Sequence, residues 1–367
     1  MHSTQLKPAI ICLAAGKSQL IIIRKAKELG FAVLAIDRCS DAPGFRFSDE
    51  KIVLSTYEAA PIIRQLRTFQ DSYKFSGVIN RSSGLPVITA AQICQEFALP
   101  GIPSTSARII IDKSQLMKFC KAYGIAAPTC QSVSSFAEID GLRLSFPFVV
   151  KPAISIVGKS GVCIVEDADE LSAAFTAAKA VAVNGVVNCE ELLPGRDISL
   201  MSVVQRGKLY PITLLDELNV ADSKGNIKGT GFAVPSIFSG QPEETSIINM
   251  ARKIVDSFKL DTTSFNMSCR CESGGEPRLV EIHLDLGGDM VLDALLPEST
   301  SFDVLSFVIL SLADENPSCQ DINFIPSAVI FGEGEGLVSE RPYKILSGPD
   351  RIFLEQIIIS TQRKIYG

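Results

Sequence analysis

The chain opens with a strand–helix–strand pattern that restricts the possible folds more than any other segment. Residues 8–16 form a short apolar run that ends in a glycine, and a helical pattern follows to Gly30. A second apolar run, Phe31 to Asp37, ends in a carboxylate. Two strands of the buried type joined by one helix indicate a βαβ unit with a parallel sheet. The N-terminal region is therefore predicted to be an α/β domain.

The turn after the first strand does not favour dinucleotide binding. Such a site needs G-x-G-x-x-G after the strand, and A-A-G-K-S-Q lacks that spacing. Asp37 alone is weak evidence for a ribose contact, so NAD binding is rejected. Further strands are predicted at Lys51 to Leu54 and Gly77 to Asn80, and the cluster L-P-G-I-P-S near residue 100 marks the first domain boundary.

Composition excludes several classes of function. With 367 residues the chain is expected to form two or three domains. A net charge of −6 argues against nucleic acid as a partner, and no Lys/Arg run offsets it. No apolar run is long enough to cross a membrane and no signal-peptide pattern is present, so a cytoplasmic protein without a membrane partner is expected. The ten cysteines include no C-x-x-C pair, which favours buried free thiols.

The segment Arg278 to Asp289, R-L-V-E-I-H-L-D-L-G-G-D, concentrates groups that can bind a metal. Read as a strand, its period-two alternation places Glu281, His283 and Asp285 on one face. Val280, Ile282 and Leu284 then occupy the other face. A Gly-Gly pair ends the strand and allows another backbone to come close. The alternative interpretation is an edge strand with a solvated acidic face.

Further motifs lie between residues 112 and 230. Asp112 can cap a helix that stops at Gly124, and F-P-F-V-V-K-P is a predicted strand with Lys151 at its exit. The following glycine-containing turn can expose backbone amides to phosphates, although an ordinary hairpin is an equal alternative. C-E-E-L-L-P-G-R-D is a predicted strand that runs into an acidic turn. The polar segment Leu215 to Thr230 is predicted to be a mobile loop.

In order and spacing, these segments resemble the ATP-grasp superfamily. The closest likeness is to the branch that contains biotin carboxylase, the carbamoyl phosphate synthase large chain and the L-amino-acid ligases. The resemblance implies a mixed α/β and α+β chain, in which a Rossmann-like pre-ATP-grasp domain precedes an ATP-grasp fold of two α+β subdomains. The expected domains are residues 1–106, residues 107–296 with a split near 184, and a C-terminal subdomain at 297–367.

The resemblance also implies roles for residues at an ATP site. Lys113 and Lys151 would contact the phosphates, and the backbone near Glu191 and Leu193 would meet the adenine. Glu190 and Asp197 would hold the ribose. The glycine-containing turn would close over the phosphates, and its residues are Ser155, Gly158, Lys159, Ser160 and Gly161.

Glu281 and His283 occupy positions whose side chains bind Mg²⁺ in relatives, where the second residue is usually Asn. Mn²⁺ is an alternative, because hard cations prefer oxygen ligands to imidazole. Relatives commonly carry a Glu, or sometimes a Gln, as a further ligand on the preceding strand. The matching position here is Ser268, and Asn266 on the same face could supply an oxygen instead.

A second departure concerns the reacting group. Relatives often have an Arg four residues after the metal-binding Glu, where it steadies an acylphosphate, and this chain has Asp285. A carboxylate there would repel that intermediate unless it binds metal or a cationic substrate, or unless another cation enters. The candidate cations are Arg270, Lys224 and Lys228. Gly287 and Gly288 are expected beside Asp285 at the substrate site.

The function implied is an ATP-dependent carboxylate–amine ligase that works through an acylphosphate on small-molecule substrates. Two alternatives stay open at this point. One is another transfer on the same fold, such as phosphorylation or carboxylation. The other is an ATP-binding regulator or scaffold without turnover, which the two departures favour. Many relatives are dimers, so a homodimer is a further expectation that nothing in the sequence tests.

Overall fold

The computed structural model describes residues 6–155, 159–287, 290–318, 322–332 and 341–366. These residues form three sheets. The first has the order β3-β2-β1-β4 and is parallel throughout, as the βαβ pattern predicts. Its strands are β1 Lys7–Leu13, β2 Ala32–Asp37, β3 Glu50–Val53 and β4 Tyr73–Asn80, and its helices are α1 Leu20–Glu28, α2 Ala59–Arg67 and α3 Leu85–Glu96.

Successive residues of the first strands enter two different cores. Ile10 and Cys12 of β1 pack in one hydrophobic cluster, while Ile11 and Leu13 pack in another on the opposite face. Burial on both faces explains why β1 is apolar without alternation.

The second sheet is antiparallel and has the order β5-β8-β6-β7. Helix α6 packs on it through Leu171, Phe175 and their neighbours. The predicted cap is confirmed, since the Asp112 side chain accepts hydrogen bonds from two backbone amides of α5, and Gly124 ends that helix with φ of 60°. The elements are α4 Ser104–Ile111, α5 Lys113–Tyr123, β5 Cys130–Val133, β6 Phe148–Pro152, β7 Cys163–Val165, α6 Ala168–Val181 and β8 Val187–Glu191.

The third sheet is also antiparallel, with the order β13-β12-β9-β10-β11-β14-β15. Strands β14 and β15 follow residue 297, yet they pair beside β11 and extend the same sheet. The strands are β9 Arg196–Gln205, β10 Lys208–Ala221, β11 Ile227–Val234, β12 Thr263–Cys271, β13 Arg278–His283, β14 Ser327–Phe331 and β15 Tyr343–Ser347. The helices are α7 Pro242–Phe258, α8 Leu296–Ser299, α9 Val304–Leu312 and α10 Arg351–Tyr366.

The segment Leu215 to Thr230 corrects the prediction of a mobile loop, because it forms most of the β10–β11 hairpin. Its turn docks on β7: the Ile164 amide donates to the Gly225 carbonyl at 2.9 Å. A Cβ on Gly225 would lie 2.1 Å from the Ile164 carbonyl oxygen. The glycine that suggested a loop is therefore present because two backbones approach closely. This contact joins the second sheet to the third.

The alternation predicted for β13 is interrupted. Leu279 pairs with Cys269 and Glu281 pairs with Ser268, so Val280 is the extra residue of a β-bulge. Leu279 is fully buried, whereas Val280 is only half-buried. The apolar face therefore starts at Leu279, which corrects the assignment of Val280 to it.

Nine of the cysteines lie in the described ranges, and all nine are free thiols. Most are buried, as the sequence predicts, and burial raises the pKa of Cys94 to about 12. Within the same ranges, no helix combines the length and apolar character needed to span a membrane.

Candidate active site

Lys113 connects the second sheet to the third. It is the first residue of α5, and its amide donates to the Ala153 carbonyl just after β6 at 2.9 Å. Its Nζ lies 3.1 Å from Oε2 of Glu281 on β13. The first turn of a helix therefore presents an ammonium group to a carboxylate of the opposite sheet.

Lys151 lies beneath this contact in a buried pair. Its Nζ is 2.7 Å from Oε2 of Glu190 on the neighbouring strand β8. Asn188 donates to the other Glu190 oxygen at 3.1 Å. Burial acts to lower the pKa of Lys151, but the charges of Glu190 and Glu281 outweigh it and the pKa is raised. Lys151 is therefore held as an ammonium, and the predicted ribose contact of Glu190 stays a prediction.

The glycine-containing turn is tied to β10. Lys159 has φ of 59° and Gly161 has φ of 70°, so the turn contains two left-handed residues. Lys159 Nζ lies 2.9 Å from Oε2 of Glu217 and donates to Oδ1 of Asn219 at 2.5 Å. Ser155 and Ser160 are half-buried at the ends of this turn, whereas Gly158 lies outside the described residues. The role of the turn in phosphate binding stays a prediction.

Glu217 was missed by the sequence reasoning because its segment was assigned to a loop. Its Oε1 accepts hydrogen bonds from Ser199 Oγ at 2.5 Å and from Ser268 Oγ at 2.7 Å. Burial acts to raise the pKa of Glu217, but the charge of Lys159 and these hydrogen bonds lower it overall. The spacing of Glu217 and Asn219 in L-L-D-E-L-N, two apart, was the available signal for a polar strand face.

Glu281 and His283 form a coupled pair at the end of β13. His283 Nε2 is 3.2 Å from Glu281 Oε1. Burial acts to raise the pKa of Glu281, yet Lys113, His283 and Lys151 hold it well below its usual value. Burial acts to lower the pKa of His283, but Glu281 and Asp285 raise it to about 9. Each member of the pair therefore favours the charged form of the other.

Asp285 is only 2 % exposed and joins the first sheet to the site. One oxygen accepts from Ser83 Oγ at 2.8 Å and the other from the Gly287 amide at 2.7 Å. The neighbouring Leu286 amide donates to the Asn80 carbonyl at 3.0 Å. The loop after β4 thus lies against the loop after β13, a contact that no sequence motif indicated. Gly288 lies outside the described residues.

Asn266 and Ser268 face the two metal-binding candidates across the β12–β13 pair, since Asn266 pairs with His283 and Ser268 with Glu281. The Asn266 amide nitrogen donates to the Asp285 carbonyl at 2.7 Å. Within the described ranges, no group of three or more His, Cys, Asp or Glu side chains is arranged to hold a metal by itself. Mg²⁺ is often bound by one or two carboxylates together with phosphate oxygens, so Glu281 fits such a shared site.

The remaining predicted residues lie around this centre. Both Glu191 carboxylate oxygens accept from Arg278 at 2.7 Å, and Leu193 is buried. Asp197 Oδ1 is 3.4 Å from Arg270 Nε, and the same guanidinium donates to the Gly195 carbonyl. The Arg270 guanidinium is therefore bound by the acidic turn that contains Gly195 and Asp197. Lys228 is half-buried on β11, and Lys224 is exposed in the β10–β11 turn.

Comparison with known proteins gives relatives at moderate identity. No family model matches the chain. A formate-dependent phosphoribosylglycinamide formyltransferase of Synechococcus sp. (strain RCC307) is 28% identical over 218 residues, which cover 56% of this chain and 53% of that relative. A second such enzyme, of Burkholderia pseudomallei (strain K96243), is 27% identical over 45% of this chain and 42% of its own length. The chain thus spans about half the length of the curated relatives it matches.

Solved structures match over nearly the full length. The L-amino acid ligase from Bacillus licheniformis has a TM-score of 0.76 and 16% identity, and the match covers 97% of each chain. The N5-carboxyaminoimidazole synthetase from Staphylococcus aureus complexed with ADP has a TM-score of 0.76 and 13% identity over 98% of each chain. These likenesses confirm the fold that the sequence predicts.

Proposed function

We propose that this chain, which has the ATP-grasp fold, is an ATP-dependent ligase that joins a small carboxylate to an amine through an acylphosphate. The observation that carries the proposal is the contact between Lys113 Nζ of α5 and Glu281 Oε2 of β13, at 3.1 Å. Lys151 adds a second, buried ammonium whose charge reaches Glu281. Two lysines opposite a carboxylate are the charges that a nucleotide with its divalent cation requires.

The residues present fit Mg-ATP. Lys113, Lys151 and Lys159 supply ammonium groups for the phosphates, and Glu281 supplies a carboxylate for the cation. A bound Mg²⁺ would neutralise part of the charge on the transferring phosphoryl group. The lysines contribute to the same neutralisation from fixed positions, so they require little reorganisation when the charge shifts.

The reaction has two displacements. An oxygen of the substrate carboxylate attacks the γ-phosphorus, and the bond from that phosphorus to the bridging oxygen breaks, so ADP leaves with the electron pair. The amine then attacks the acyl carbon, the carbon–oxygen bond to phosphate breaks, and phosphate leaves as the amine loses a proton to solvent. His283 Nδ1 lies 4.0 Å from Oδ2 of the buried carboxylate of Asp285. An imidazole at this distance can reduce the repulsion expected from an Asp at that position.

The relatives support a carboxylate substrate. One group is named formate-dependent, and a structural neighbour is named an L-amino acid ligase. The loops after β4 and β13 supply Ser83 and Asp285 next to the acid–imidazole pair, and this is where we place the second substrate. We further propose a cytoplasmic enzyme that acts on small-molecule substrates as a homodimer.

One observation favours a second candidate, an ATP-binding protein without turnover. Ser268 and Asp285 stand where the family resemblance implies that an acid is common and an arginine frequent. Asp285 already accepts hydrogen bonds from Ser83 and Gly287. A phosphotransferase or a carboxylase on the same fold would differ from the proposed ligase only in the group that receives the phosphoryl group and in the step that follows.

The test is release of ADP and AMP from Mg-ATP in the presence of pooled amino acids and small carboxylic acids. Substrate-dependent ADP with an amide product is expected, and Glu281→Ala should abolish it. Glu276→Gln removes an exposed carboxylate from the β12–β13 turn and serves as the matched control. AMP release would refute the acylphosphate route. Full activity of Glu281→Ala would mean that the metal site lies elsewhere.

A further inference from the structure

Glu217 is a largely buried carboxylate that the mechanism above does not use. Its side chain is 11% exposed and lies on β10 in the interior of the third sheet. Its contacts are two serine hydroxyls, from Ser199 and Ser268, and the ammonium of Lys159. Burying a charge is unfavourable unless it is paired and hydrogen-bonded, so this position is built to keep an ionised carboxylate.

Ser268 places this carboxylate beside Glu281. It is the cross-strand partner of Glu281 on β13, and its hydroxyl contacts Glu217 from the other side. Directly paired residues of an antiparallel ladder share one face of the sheet. A short side chain at residue 268 therefore leaves room on that face, and the longer Glu217 reaches into it from two strands away.

Two Lys–Glu pairs consequently connect the second sheet to the third. Lys113 contacts Glu281 at 3.1 Å, and Lys159 contacts Glu217 at 2.9 Å. Each lysine comes from the side of the second sheet and each glutamate from the third. Lys159 belongs to the turn that follows β6, and its backbone has φ of 59°, a conformation that is unfavourable for a residue with a side chain. The contacts with β10 help to hold it there.

We propose that Glu217 is a second carboxylate for the divalent cation of the nucleotide, supplied from β10, and that Lys159 neutralises it until the nucleotide binds. With a nucleotide bound, Lys113 and Lys159 would be available to the phosphates, and Glu281 and Glu217 to the cation. The inference rests on the proposed function, because it requires a nucleotide bound beside these two Lys–Glu pairs. Glu217 would then take the place of the acid that the family resemblance implies at residue 268, where this chain has a serine.

The test measures Mn²⁺ binding to the full chain in the presence of ADP, by the electron paramagnetic resonance signal of free Mn²⁺. Glu217→Gln keeps the shape and removes the charge, so the Kd for Mn²⁺ should rise at least tenfold. Binding of ADP without metal should stay within threefold or become tighter, because Lys159 loses a competing partner. A Kd for Mn²⁺ within twofold of wild type, with an intact melting transition, would overturn the inference. The exposed-site variant Glu276→Gln is the control.

Two further variants keep the test decisive. Glu217→Asp shortens the side chain but keeps its charge, and it should weaken Mn²⁺ binding at least threefold even if Glu217→Gln does not fold. Glu217→Ser combined with Ser268→Glu moves the carboxylate to β12 beside the same spot, and Mn²⁺ affinity should return to within threefold of wild type. Loss without recovery in a folded double variant would mean that Glu217 only supports the sheet, which refutes the proposal. Absence of ADP-dependent Mn²⁺ binding by the wild type would instead refute the proposed function.

Discussion

The buried pair Lys151–Glu190 gives a prediction whose magnitude follows from the structure. Lys151 is 5% exposed and Glu190 is 3% exposed, and their charged atoms are 2.7 Å apart. Removing one partner of such a pair leaves an uncompensated buried charge, which typically costs about 3–5 kcal/mol. Lys151→Met and Glu190→Gln should each lower the free energy of unfolding by about that amount.

The double variant separates the pair from its surroundings. Lys151→Met with Glu190→Gln leaves no charge, and the glutamine oxygen can still accept the hydrogen bond from Asn188. Because neutral replacement of a buried ion pair is often close to neutral in energy, the double variant should be more stable than either single variant. The coupling energy should be about 2–3 kcal/mol.

The assay is urea unfolding at pH 7 followed by far-ultraviolet circular dichroism, since the chain contains no tryptophan to report by fluorescence. Domains can unfold separately, so the urea curve can contain more than one transition. Hydrogen exchange of peptides covering β6 and β8 identifies the transition in which the second sheet unfolds. Lys118→Met, which removes an exposed lysine from α5, is the control and should change stability little. If the double variant loses as much as the sum of the single variants, the two charges do not stabilise each other and the reasoning is wrong.

Two further predictions follow from other contacts. Hydrogen bonds from Arg278, opposed by burial, lower the pKa of Glu191 to about 2. Its contribution to stability is therefore complete above pH 4.5 and is lost as the pH falls towards 2, so the difference in urea midpoint between wild type and Glu191→Gln should shrink over that window. Separately, Gly231→Ala would place a Cβ 2.0 Å from the Val329 carbonyl oxygen and should destabilise the β11–β14 pairing by about 1–3 kcal/mol, measured as a lower melting temperature. Gly141→Ala, where nothing lies within 4 Å, should leave the melting temperature unchanged, and equal effects at both glycines would contradict the steric argument.

Local patterns predicted the elements whose determinants lie within a few residues. The first two strands are apolar runs bounded by a helix pattern, and their parallel pairing is confirmed. The cap at Asp112 and the stop at Gly124 are short-range backbone effects, so they can be recognised without tertiary information.

The failures occur where distant segments decide the outcome. Polar and glycine residues in Leu215 to Thr230 suggested a loop, but the glycine at residue 225 serves a backbone contact with β7, some sixty residues earlier in the chain. The bulge at Val280 depends on pairing with β12 and is not visible in the alternation of β13 alone. Strands β14 and β15 join the third sheet through β11, a long-range pairing that no local pattern specifies.

The candidate site divides in the same way. By itself, the sequence determined which strands and turns carry Lys113, Lys151 and Glu281, because strand and helix periodicities assign each side chain to a face. Only the tertiary structure decided that Lys113 contacts Glu281, and that Glu217 occupies the space beside Ser268. Hydrogen bonds between strands and contacts between sheets depend on positions far apart in the chain, whereas periodicity reports only a residue's immediate neighbours. The sequence therefore determines which charged residues this site contains, whereas the folded molecule determines which of them pair.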